Sequence, residues 1–194
     1  MLVLCALCAQ LTPVAAADGS PVEVVRTTLA EMSARLESAG EDDEAAARAA
    51  VAATVWPRVD FEAVSRLVLG PHWNQASPRQ RERFIGEFKK LLLASYTGAI
   101  LSRADRPVSY PAQFTRIEAD RALVATALEG DGPPLRIDYR LNRENGAWRV
   151  IDIVVAGVSL VTTYRSDFAR RIEQQGIDGF LAALAERAAR PAKS

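Results

Sequence analysis

The sequence predicts an α+β protein, with its helices and an antiparallel sheet segregated along the chain. Three observations carry this reading. Apolar residues recur at spacings of three and four before about residue 101 and again after 163. Between 108 and 155 the spacing changes to two. Asn145-Gly146 sits between two alternating runs, a strong hairpin signal.

The chain has 194 residues, 49% of them apolar. Positions 2–17 read LVLCALCAQLTPVAAA and carry no charge. The apolar run Leu2–Leu11 is too short to span a bilayer, which needs roughly 20 apolar residues. Ala15-Ala16-Ala17 offers a small-x-small cleavage signal, so 1–17 is expected to be a signal peptide. No Lys or Arg follows Met1, and a retained amphipathic anchor is the rival reading. Cys5 and Cys8 both lie in this segment. The mature protein would be free of thiols, which suits an oxidising compartment. A single domain is expected over 18–190, mainly helical over 18–105, with the sheet and C-terminal helices over 106–190.

The mature chain opens with a helix over Pro21–Leu36, where Val22, Val25, Leu29, Met32 and Leu36 form one stripe. Gly40 ends it. A second helix runs from about Asp42 to Val55, its acidic start facing the positive end of the dipole. Pro57 stops it. Asp60 caps a short helix through Leu69, closed by Gly70-Pro71. Ser77-Pro78-Arg79-Gln80 is a capping box with Pro at the first turn, and it starts a helix to about Leu101. Phe84, Phe88, Leu91, Leu92, Tyr96 and Ile100 form its apolar stripe.

Strands are expected at Val108–Tyr110, Phe114–Ile117 and Ala122–Glu129. Gly130–Pro134 is a turn. Leu135, Ile137, Tyr139 and Leu141 then alternate with Arg136, Asp138, Arg140 and Asn142, so one face is buried. Trp148–Val155 returns from the hairpin, and Gly157 breaks it. Two helices follow, Thr163–Gln174 and Asp178–Ala189, separated at Gly176. A curved sheet with helices across its concave face would enclose a cone-like pocket. This layout resembles nuclear-transport-factor-2-like folds.

Chemistry is sparse. Twenty-four basic and 24 acidic residues leave no net charge, which argues against a nucleic-acid partner. The lone His72 in Gly70-Pro71-His72-Trp73 reads as a loop residue packed beside a Trp or a cap. One His and no mature Cys leave no metal ligand set. No Gly-x-Ser-x-Gly elbow and no Gly-rich phosphate loop is present. Asp152 lies inside the apolar run Val150–Val154. It is either a general base in a pocket, as in isomerases, or a carboxylate that accepts backbone and Arg hydrogen bonds. Arg79, Arg81, Arg83, Lys89 and Lys90 share one helix, as a solvated face or a docking surface.

Two stretches go further. Val59-Asp60-Phe61, Ser65-Arg66-Leu67-Val68-Leu69-Gly70, His72-Trp73 and Ala76-Ser77-Pro78 resemble the toluene-tolerance/MlaC family. So do Gly157-Val158-Ser159-Leu160-Val161-Thr162-Thr163-Tyr164-Arg165 and Gly176-Ile177-Asp178-Gly179-Phe180. The likeness covers about Val22 to Leu184. It implies a soluble periplasmic phospholipid carrier with no cofactor and no catalytic residues, and nothing in the sequence demands more than a monomer. It also implies two docking partners: an outer-membrane lipoprotein–porin complex, and an inner-membrane ABC transporter with its MCE-type subunit.

On this reading the pocket is expected from Tyr96 and Ile100 of the long helix and from Val124, Leu135, Ile137, Tyr139, Val150, Ile151 and Ile153 of the sheet. Val158, Leu160, Tyr164 and Phe168 would close it. Adjacent strand residues face opposite ways, so Val150 and Ile151 share a face only if a bulge intervenes. The rival functions are an exported binder of a hopanoid or sterol-like lipid, an isomerase using Asp152, and an interaction protein with a filled core.

Overall fold

The computed structural model describes residues 19–39 and 43–190, so the expected signal peptide, Gly40 and the tail after 190 lie outside the described residues. Helix α1 spans Pro21–Ala39. Helix α2 spans Glu44–Val55, and the Asp43 carboxylate caps it by accepting from the Ala46 N–H at 2.9 Å. The chain tightens into a 3₁₀ turn at Trp56–Arg58, where Pro57 has no N–H to continue the α-helix. Asp60 caps α3 (Phe61–Leu69), accepting from the Ala63 N–H at 2.9 Å. A one-turn helix α4 (His72–Gln75) then leads into α5 (Pro78–Leu101). The capping box of α5 forms in both directions: Ser77 Oγ accepts from the Gln80 N–H, and Gln80 Oε1 accepts from the Ser77 N–H.

Six strands make one antiparallel sheet. They are β1 (Val108–Ser109), β2 (Arg116–Ile117), β3 (Arg121–Leu128), β4 (Leu135–Glu144), β5 (Ala147–Val155) and β6 (Val158–Ser159). The order is β1-β3-β4-β5-β6, with β2 beside the start of β3. Phe114 falls in a 3₁₀ turn (Ala112–Phe114) and not in a strand, so the second expected strand is shorter. Both hairpins after β4 use paired positive φ angles: Asn145 at 50° and Gly146 at 84°, then Ala156 at 48° and Gly157 at 83°. That is the type I′ signature. The Ala156-Gly157 turn ends β5, as expected, and carries the chain into β6.

The last helix, α6, also begins earlier than its periodicity suggests. It runs from Leu160 to Ala189, because Ser159 Oγ accepts from the Thr162 N–H at 3.1 Å and caps it there. Gly176, at φ 71° and ψ 170°, breaks it internally, where the two expected helices meet.

The buried apolar residues form three clusters. One joins α3, α5 and α6 around Phe84, Phe88, Tyr164, Phe168 and Phe180. Its rings sit 4.9–6.1 Å apart, several of them edge to face, the favoured aromatic geometry. A second packs Val24 and Val25 of α1 on Ala122, Val124, Leu141, Trp148 and Val150 of the sheet. A third joins Leu36, Ala47 and Val51, where α1 meets α2. Half-buried residues fringe each cluster, among them Tyr96, Tyr139, Ile153, Met32 and Ile100. They face a space that none of the clusters fills.

Candidate functional site: a cavity between sheet and helices

That space is a cavity of about 760 Å³. Native cores hold few voids larger than a water molecule. A space of this size is not an ordinary packing defect. The size falls instead within the range of ligand pockets, about 300–1,000 Å³.

A β-bulge builds the sheet wall. Arg140 stands opposite Asp152 but Leu141 opposite Val150, so Ile151 has no partner on β4. The extra residue resets the alternation. Leu141–Val150, Tyr139–Ile153 and Ile137–Val155 become successive pairs on the helix-facing side. Leu135, Ile137, Tyr139, Val150, Ile151 and Ile153 all line the cavity. Tyr96 and Ile100 line it from α5, and Val158 and Leu160 from the second hairpin and the start of α6.

Three expected residues do not. Val124 points to the same side of β3 as Thr126, which does line the cavity. Val124 is fully buried, however, because Val24 and Val25 of α1 fill the space over it. Tyr164 and Phe168 belong to the aromatic cluster behind α5. Tyr164 meets the wall from outside it, its ring 5.1 Å from that of Phe88 and its hydroxyl oxygen 3.4 Å from that of Tyr96.

The opposite error is larger. Helices α1 and α2 supply much of the wall, including Leu29, Met32, Leu36, Val51 and Val55. The apolar stripe of α1 was the available signal, since a helix with such a stripe must cover something.

The strand ends locate the mouth. Leu128, Leu135, Val155, Val158 and Val108 line the cavity and share one end of the sheet. Val158 is 59% exposed there. Trp148, Leu141, Ala122, Val24 and Val25 plug the other end.

The wall threonines and Ser33 bond within the protein. Thr28 donates to the Val24 carbonyl at 2.6 Å, Thr97 to Leu93 at 2.8 Å, Thr126 to Ile137 at 3.0 Å and Ser33 to Ala104 at 3.1 Å. Burial pushes the Tyr139 phenol up to about 12, with the Thr126 hydroxyl opposing the shift. Burial, then the bond to Tyr164, raises Tyr96 further still. Both phenols are neutral at physiological pH. Apart from Asp152, the charged residues on the lining are Arg26, Arg58, Arg103 and Arg106.

Asp152 has a structural position. It is 6% exposed, and its carboxylate accepts from Arg140 Nη1 at 3.0 Å, Ser159 Oγ at 2.7 Å and the Val161 N–H at 3.1 Å. These bonds tie β5 to the start of α6. Asp138 pairs with Arg136 Nε at 2.9 Å, away from the cavity. His72 meets Gln75 beside the buried Trp73. The basic residues of α5 partly cover neighbouring rings, with Arg81 over Trp73 and Lys89 over Phe61. Among the described residues no grouping of three His, Cys, Asp or Glu side chains could hold a metal. None of the described helices is long and apolar enough to cross a membrane.

The family model described as "MlaC protein" matches residues 23–186. The chain belongs to the MlaC family. The toluene tolerance protein ttg2D of Pseudomonas putida is 27% identical to this chain over 165 residues, covering 82% of this chain and 76% of that one. The intermembrane phospholipid transport system binding protein MlaC of Haemophilus influenzae is 26% identical over 146 residues, covering 70% of this chain and 65% of that one. A solved structure of a phospholipid-binding protein from Ralstonia solanacearum, in complex with a phospholipid, superposes with a TM-score of 0.77 at 27% identity. That match covers 88% of this chain and 98% of the Ralstonia chain. The MlaC-family fold is thus a mixed helical and antiparallel-sheet architecture, as the sequence predicts.

Proposed function

We propose that this chain is a soluble periplasmic phospholipid carrier, exported through its first seventeen residues. It takes lipid between an outer-membrane lipoprotein–porin complex and an inner-membrane ABC transporter with an MCE-type subunit, and so maintains outer-membrane lipid asymmetry. One observation carries the reading. The cavity is large, its wall is apolar, and the wall threonines and Ser33 donate their hydrogen bonds inside the protein. Such a wall suits hydrocarbon and offers little to a polar substrate. The family membership and the phospholipid complex of the Ralstonia neighbour support it.

The energetics fit a carrier. Burying a methylene contributes about 0.8 kcal/mol, so one acyl chain of roughly 14 methylenes contributes on the order of 11 kcal/mol. A membrane offers a similar gain. Net transfer is then nearly balanced, while spontaneous desorption through water is slow. Docking to a membrane complex supplies the continuous apolar path. No reaction step is needed, and Asp152, held by three donors, has a structural task instead of a catalytic one.

The test is genetic complementation. Loss of the protein from its host should raise phospholipid on the outer leaflet, measured by surface labelling. The unaltered chain should restore it and Ile137→Arg, which places a charge in the wall, should not. Equal rescue by both would contradict the carrier role.

A further inference from the structure

The cavity wall is largely apolar, and the charged side chains on it other than Asp152 are all arginines. Arg26, Arg58, Arg103 and Arg106 all line the space and are exposed or half-exposed. Asp152 is the one carboxylate on the described lining, and Arg140, Ser159 and the Val161 N–H already hold it. Among the described residues Arg58, Arg103 and Arg106 form no ion pair, and Arg26 meets only Glu23 at 3.6 Å, an exposed pair of little strength.

Several of these side chains are held in place. The Arg26 guanidinium stacks 4.9 Å over the Tyr110 ring. Arg103 Nη1 donates to Ser102 Oγ at 2.9 Å and the Ala99 carbonyl at 3.2 Å. Arg106 lies against the backbone of Gly130 in the β3–β4 turn. Arg103 and Arg106 therefore sit at the open end of the sheet, where Leu128, Leu135 and Val158 form the lip. The carboxylates nearby, Asp105, Glu129 and Asp131, do not line the cavity. Glu129 instead accepts from Ser109 Oγ at 2.9 Å.

We propose that Arg103 and Arg106, at the open end of the cavity, select phospholipids whose headgroup bears a net negative charge over zwitterionic ones. The inference rests on the carrier reading and adds headgroup selection to it. A zwitterionic headgroup brings its own cation beside the phosphate and so cancels much of the attraction. A net anionic one leaves its oxyanions to the guanidinium donors, which bind phosphate in charge-assisted, often bidentate pairs.

The experiment is competitive loading. Delipidated protein is incubated with vesicles containing equal amounts of phosphatidylglycerol and phosphatidylcholine with identical chains, and the bound lipid is weighed by mass spectrometry. The bound ratio should favour phosphatidylglycerol by about tenfold at low ionic strength and fall as salt rises. Arg103→Gln and Arg106→Gln should each move the ratio toward one. Arg136→Gln, the same charge change outside the cavity, should leave it where it was. Inorganic phosphate should displace the lipid no better than chloride at matched ionic strength, because the chains anchor it. Equal loading of both lipids, a ratio indifferent to salt, or displacement by phosphate would overturn the proposal. Equal loading would leave the carrier reading standing, whereas no loading of either lipid would remove both.

Discussion

The Arg165 guanidinium rests on the backbone of Gly70, its Nε 3.1 Å from where a Cβ would stand. This contact joins the end of α3 to the first turns of α6, the two stretches in which the family resemblance is concentrated. Gly70 also adopts φ 54° and ψ −127°, a conformation open to glycine and strained for other residues. Gly70→Ala meets both obstacles. It should destabilise the protein by about 1–3 kcal/mol in urea denaturation. A variant as stable as the parent would contradict this.

Tyr164 supports the cavity wall from behind. Its hydroxyl meets that of Tyr96 at 3.4 Å, long for a hydrogen bond, so Tyr164→Phe should cost only about 0.5 kcal/mol. The same change removes the second cause of the raised Tyr96 pKa and leaves burial, the larger one. A spectrophotometric tyrosine titration should show Tyr96 ionising earlier than in the parent, yet still later than an exposed tyrosine. An unchanged titration would show that the pair is not coupled.

Asp152 holds the start of α6 on β5. Asp152→Asn keeps one acceptor oxygen but turns an NH₂ toward donors, so the set bonded by Arg140, Ser159 and Val161 cannot all be satisfied. The expected cost is about 1–3 kcal/mol. The Val161 amide should exchange with solvent faster, as seen by hydrogen exchange. Unaltered exchange at Val161 would show that the carboxylate does not anchor this turn.

Asp167 makes stability depend on acid. Its burial raises its pKa, but the hydrogen bonds and charges of Arg171, Arg170 and Arg187 outweigh this and lower it below the ordinary 3.8. A carboxylate lowered on folding contributes stability above its unfolded pKa, and that contribution is lost as pH falls through the folded one. The stability gap between the parent and Asp167→Asn should therefore be constant near neutrality and shrink below about pH 4. A gap that stays constant into acid would contradict the assignment.

The periodicities made the helices, the sheet face and the Ser77 cap legible, because spacing reports which side of an element is apolar. Spacing does not report what lies against that side. Val124 and Ile137 alternate on the same face of one sheet, yet α1 fills the space over Val124 while the space over Ile137 is open. Tyr164 touches both Tyr96 and Phe88, yet those two line the cavity and Tyr164 does not. The bulge at Ile151 has no signature in the residues themselves, so the shared wall of Val150 and Ile153 emerged only with the register. The lining arginines were invisible for a related reason: they lie on three separate segments that share one cavity only in the fold.

If the cavity holds acyl chains, phospholipid should leave the cell with the protein. Lipid extraction and native mass spectrometry of the protein purified gently from its own host should find phospholipid on the unaltered chain and none on Ile137→Arg. A hopanoid in its place, or a protein with no mass beyond the polypeptide, would rule out a phospholipid-filled cavity.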